Sequence, residues 1–98
     1  MPAYLLAQIS VTDPEQYKQY TARTPEVIAK YGGKFIVRGA KPIVLEGPEV
    51  TKRLVLLEFP SSEIAQSFYY SAEYQELISL RKDAAEGSFV VLEGYETS

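Results

Sequence analysis

Tyr31-Gly32-Gly33-Lys34-Phe35-Ile36-Val37-Arg38-Gly39 is where the chain changes its hydrophobic period. Upstream of it, Tyr17, Tyr20, Thr24, Val27, Ile28 and Tyr31 recur at helical spacing and form one stripe. Gly32-Gly33 stops that helix, and Lys34 to Gly39 is an apolar run of strand length. A phosphate loop is excluded here, because its glycines lead into a helix N-terminus and these lead into a strand.

Working back from this point, Asp13 reads as an N-cap, Pro14 as the first helical residue and Gln16 as the partner that closes a capping box. Pro25 inside the stripe predicts a kink, or a restart with Thr24 as a new cap. Tyr4 to Val11 is a mostly apolar run without clean alternation, which predicts a strand covered on both faces. Working forward, Pro42 to Glu46 reads as a continuation of the second strand after a break at Gly39-Ala40-Lys41. Gly47-Pro48-Glu49 is the turn, and Lys52 to Phe59 is a third strand hairpinned with the second. Ser61 caps a short helix carrying Ile64, Ala65, Phe68 and Tyr69. Ser71 caps another carrying Tyr74, Leu77, Ile78, Arg81 and Ala85, which Gly87 closes before a last strand at Ser88 to Glu93.

The resulting order is βαββαβ with the second helical region broken in two. Two right-handed crossovers then place the helices on one face of a four-stranded antiparallel sheet, the ferredoxin-like α+β arrangement. The strands stay apolar on both faces, as in Leu5/Leu6, Ile36/Val37, Leu56/Leu57 and Val90/Val91. Helices cover only one side, so the expectation is a homodimer in which two sheets pack face to face as a dimeric α+β barrel.

Length and composition agree. At 98 residues the chain is expected to be a single domain over 1–98, and a chain so short gains from oligomerisation. It contains no His and no Cys, which removes Ser-His-Asp and Cys-His nucleophile systems, thiol redox chemistry, disulfides and zinc sites of the usual kind. A net charge of −3 without a basic run argues against nucleic acid and against an anionic membrane surface. No apolar run approaches the ~20 residues that span a bilayer, and the N-terminus lacks signal-peptide features, so a cytoplasmic protein is expected.

Asp13-Pro14-Glu15-x-Tyr17, the 31–39 segment, Leu45-Glu46-Gly47, Glu58-Phe59-Pro60-Ser61, Ser71-x-Glu73-Tyr74-Gln75 and Arg81, in this order, resemble the small bacterial proteins of the domain of unknown function DUF1330. The resemblance runs almost end to end and implies a dimeric ferredoxin-like barrel. It implies no reaction. Ala72 stands where such proteins often place Pro, and Tyr70 where a small polar residue is common; both departures concern helix starts.

Among residues that could carry chemistry, Arg81 is the strongest anomaly, a guanidinium on an otherwise apolar stripe. Two readings stand: a rim or carboxylate-paired structural residue, or a clamp for a carboxylate or enolate. Arg38 and Glu58, in the middle of neighbouring strands, are expected to pair, or to orient a substrate acid with Glu58 as general base. Glu46 and Arg53 are read as a pair at the hairpin tip. Tyr17 and Tyr20, with Tyr69 and Tyr74, could direct phenols into a cleft and, without His, one would donate a proton to a developing oxyanion. Gln8 is a lesser polar candidate.

The candidate catalytic set is therefore Glu58, Arg81 and Tyr69, and the ligand-binding set Arg38, Arg81, Tyr17 and Tyr20. No carboxylate pattern suggests a metal, and no cofactor is expected. The function expected is binding of a small anionic metabolite; the alternative is a cofactor-independent isomerase- or monooxygenase-like enzyme acting on a small carboxylate or carbonyl compound.

Overall fold

A computed structural model describes residues 1–95. The elements run β1 (Ala3–Val11), α1 (Pro14–Lys30), β2 (Lys34–Ala40), β3 (Arg53–Phe59), α2 (Ser62–Tyr70), α3 (Ala72–Arg81) and β4 (Ala85–Glu93). The sheet is four-stranded in the order β2-β3-β1-β4, with every neighbouring pair antiparallel. This is the expected ferredoxin-like α+β fold.

Local chemistry explains the helix ends. Asp13 accepts the Gln16 N–H at 3.2 Å, Ser61 Oγ that of Ile64 at 3.2 Å, and Ser71 Oγ that of Tyr74 at 3.1 Å. The capping box is only half made, because the Gln16 amide donates instead to the Leu80 carbonyl and ties α1 to the end of α3. At the other end of α1 Gly32, at φ 75°, donates to Ala29 and Gly33 to Ile28, a paired bond that needs a left-handed residue at Gly32.

Three sequence expectations need correction. The α1 helix runs through Pro25 without a restart: Pro25 has no N–H for the Thr21 carbonyl, and the Thr24 hydroxyl supplies the missing donor at 3.4 Å. Residues 42–46 are not strand, and residues 41–52 form an irregular loop. The ladder ends at Ala40↔Leu54 after two register shifts and a positive φ at Gly39, and the chain leaves the sheet with Ile43 88% and Leu45 94% exposed. Gly87 does not close α3. It lies inside β4 opposite Ile9, and Ala85, buried at 7%, is a strand residue. Within this chain β1 is sealed on one face: Ala3, Leu5, Ala7 and Ile9 are buried beneath the helices, while Tyr4, Leu6, Gln8 and Ser10 between them are only half-covered.

The core is centred on Phe59, Phe68 and Leu77, with Phe68 stacked between Phe59 and Tyr74 at ring-centroid distances of 5.1 and 4.6 Å. The α2 helix packs on β1, β3 and β4, whereas α1 packs chiefly on α3. Surface ion pairs of Lys30 with Glu73 and Arg23 with Glu76 reinforce that helix pair, and Tyr31 donates to Glu73 at 3.3 Å.

Candidate functional site

Between α1 and the sheet lies a cavity of about 400 Å³. Its floor is the helix-side face of the sheet, Leu5, Ala7 and Ile9 from β1 with Val55 and Leu57 from β3. The α1 helix contributes Tyr17, Tyr20, Thr24 and Ile28, and aromatic rings come from Phe35, Phe68, Tyr74 and Phe89. Most of these side chains are buried, which makes this the inner part of the cavity. The exposed wall residues mark its mouth: Lys18 on α1, Arg38 on β2 and Arg53 on β3. Among the described residues no carboxylate lines it.

Backbone geometry sets the mouth. Gly39, at φ 76°, leaves room for the Arg53 guanidinium, whose Nη2 would lie 2.5 Å from a Cβ at that position, and Arg53 Nε donates to the Gly39 carbonyl at 3.5 Å. The Arg38 guanidinium lies over the Phe35 ring at 4.4 Å. Both arginines thus have their stems placed and, among the described residues, no acid to neutralise them.

The inner end is polar in a different way. Tyr20 and Tyr74 hydroxyls meet at 2.5 Å, buried. Burial pushes both phenols above their ordinary 10.0; Tyr74 adds to the rise at Tyr20, whereas the hydrogen bond with Tyr20 lowers Tyr74, and the nearby Arg81 guanidinium pulls both down without reversing the shift. Tyr17 is also raised by burial, against the opposing charge of Arg53. Arg81 itself stands behind the wall. Its guanidinium covers the Phe89 ring at 4.4 Å and the Tyr20 ring at 5.6 Å, and its Nε is buried without a hydrogen-bond partner among the described residues.

The structure brings Arg38, Tyr17 and Tyr20 to one cavity and sets Arg81 beside it. It separates the other two candidates. Glu58 does not meet Arg38: the register pairs Glu58 with Lys34, whose Nζ lies 4.0 Å away, and Arg38 with Val55. Glu58 also pairs with Tyr4 and so points to the sheet face away from the cavity. Pairing of Glu58 with Lys34 sets Arg38 four residues along β2 from it, and the shift between Phe35 and Val37 turns Arg38 to the opposite face. Tyr69 packs on Tyr70, Tyr74 and Phe89 and is not a wall residue. Arg53 leans back on Gly39 and makes no pair with Glu46. Gln8 lies on the far face, opposite Leu54 and Ser88. Sequence reading missed Lys18, Arg53 and Phe35 as site residues; Lys18 follows Tyr17 directly on α1, and Phe35 and Arg38 flank a bulge no pattern revealed.

The family profile described as "Domain of unknown function (DUF1330)" matches residues 2–95. The chain belongs to this family. Comparison with functionally curated proteins gives no significant match. Among solved structures, a DUF1330 chain such as this one is similar to a protein of unknown function from Rhodopseudomonas palustris, at 20% identity and TM-score 0.76, covering 98% of this chain and 84% of that one. It is also similar to SnoaB, a cofactor-independent oxygenase from Streptomyces nogalater, at 10% identity and TM-score 0.67, covering 98% and 95%. A dimeric ferredoxin-like protein of unknown function from Thermobifida fusca matches at 10% identity and TM-score 0.57, covering 95% and 91%. At these identities the likeness is one of fold. No helix among the described residues is long and apolar enough to cross a membrane.

Proposed function

We propose that this DUF1330 chain, one domain over residues 1–98, is a homodimeric binding module for a small anionic metabolite, held in the cavity between α1 and the sheet. The observation that carries this reading is the cavity's polarity: apolar and aromatic walls closed by a mouth of Lys18, Arg38 and Arg53, with no carboxylate among the described residues that line it. Such a site suits an acid whose body is apolar, because the body is desolvated against rings while the charge stays at a cationic, hydrated rim. Arg38 and Arg53 bind the acid, Tyr17 and Tyr20 pack on its body, and Arg81 acts from behind Tyr20.

The dimer rests on the other face of the sheet. Leu6, Leu54, Leu56, Val37, Val90 and Leu92 lie there with no helix over them, and the Thermobifida fusca protein of similar fold is described as dimeric. A second copy is the economical cover.

The alternative reading, a cofactor-independent enzyme, is supported by one feature, the buried Tyr20–Tyr74 pair. Kept protonated at neutral pH, it would donate to an enolate oxygen. SnoaB shows that a chain of similar fold carries out cofactor-independent oxygenation, an analogy of fold only.

A thermal-shift screen weighted toward small aromatic and aliphatic carboxylates, run on the wild type and on an Arg38→Gln/Arg53→Gln double variant, tests the binding reading. Acids should raise the wild-type Tm and leave the variant's unmoved. Equal shifts in both, or preference for cations or neutral compounds, would contradict it.

A further inference from the structure

The inner end of the cavity carries donors without acceptors. Two hydroxyls share one hydrogen bond at 2.5 Å, so one of their two protons is used and the other has no partner among the described residues. Beside them Arg81 Nε–H is buried and without a partner among the described residues. A buried donor left unmade is costly, so the free phenol proton of a pair that lines the cavity is a place shaped for an acceptor oxygen. Among the described residues no Asp or Glu lines the cavity to supply one. The rings of Tyr17, Phe35 and Phe89 stand among the walls over the aliphatic floor.

We infer that the Tyr20–Tyr74 hydroxyl pair is a second, inner subsite, and that the ligand is a flat, conjugated acid bearing an oxygen at the end opposite its carboxylate. This deepens the binding reading above and rests on it. The carboxylate meets Arg38 and Arg53 at the mouth, the ring or conjugated chain lies among the aromatic walls, and the distal hydroxyl or carbonyl oxygen accepts the free Tyr proton. Arg81 does not touch the ligand. It is a positioning residue, holding the Tyr20 ring by its face and drawing electron density from both phenols so that they donate more strongly.

The test is calorimetric titration of the wild type with two pairs of acids of different length, 4-hydroxybenzoate against benzoate and 4-hydroxycinnamate against cinnamate. In at least one pair the hydroxy acid should bind roughly tenfold tighter, the worth of one well-made hydrogen bond. Tyr74→Phe should bring that ratio to about one, and Tyr20→Phe should do the same, so that a folding defect in either variant leaves the other to decide. Arg81→Met should weaken the hydroxy acid and spare its parent. Equal affinities within both pairs in the wild type, or a ratio untouched by both Phe variants, would overturn the inner subsite while the cavity reading stands. If none of the four acids binds, the cavity reading falls and takes the subsite with it.

Discussion

The phenols of Tyr20 and Tyr74, buried and hydrogen-bonded to each other, give the site a measurable alkaline signature. Both resist ionisation because burial disfavours the phenolate, which puts their folded-state pKa values above the ordinary 10.0. A raised value means that the stability is fully present below the unfolded-state pKa. It then falls as pH rises past it, by about 1.4 kcal/mol per pH unit for each tyrosine that stays protonated only in the folded state. Urea unfolding between about pH 9 and 11 should show this slope, and Tyr74→Phe should make it shallower. A wild-type slope no steeper than that of a Tyr20→Phe/Tyr74→Phe variant would mean that the pair is not shielded. At the same scale, Arg81 was legible as an anomaly because a guanidinium interrupts an apolar stripe, but its partners were not. It stacks on Phe89 and Tyr20 rather than pairing with an acid, and no pattern in sequence distinguishes the two. Arg81→Met keeps the stacked volume and removes an unpaired buried donor, so its Tm should stay close to that of the wild type, about 1 kcal/mol of change or less. A large loss would assign Arg81 a structural role.

Elements follow the local signals that named them, and depart where a residue of the wrong kind finds a local remedy. Asp13, Ser61 and Ser71 cap as expected, and Ser71→Ala should cost about 1 kcal/mol, measured by urea denaturation, since it loses the Tyr74 N–H bond and its own 2.7 Å bond to the Phe68 carbonyl. Pro25 reads as a break, yet α1 continues because Thr24 stands one residue before it and takes the orphaned Thr21 carbonyl. Pro25→Ala restores the main-chain donor and should stabilise the protein by about 1 kcal/mol after the unfolded-state entropy that Pro removes is discounted. Destabilisation would mean that the α1 axis depends on Pro25. The loop at 41–52 was illegible for a related reason. Ile43, Val44 and Leu45 look like strand, but Pro42 and the positive φ at Gly39 take the chain out of the ladder first.

For the whole molecule, the helix-sheet order and the two apolar sheet faces could be read from the sequence, because period and capping encode them directly. The site could be read only in part. Arg38 was visible as a charge in an apolar strand, and Tyr17 and Tyr20 as phenols on the α1 stripe, while Glu58 was misplaced because it pairs with Lys34, four residues from Arg38, a register that a sequence does not announce. The open sheet face predicts a dimer at micromolar concentration by sedimentation, and Leu56→Glu, set between Leu6 and Val37 on that face, should give a folded monomer. A wild type that sediments as a monomer would refute the dimer. The claim that the cavity takes an acid is tested most directly by following aromatic and methyl NMR resonances during titration with 4-hydroxycinnamate. Shifts should concentrate at Tyr17, Tyr20, Phe35, Val55 and Tyr74, saturate with one ligand per chain, and vanish in the Arg38→Gln/Arg53→Gln variant. Shifts confined to Tyr4, Leu56 and Val90 on the far face, or to Ile43 and Leu45 in the loop, would contradict it.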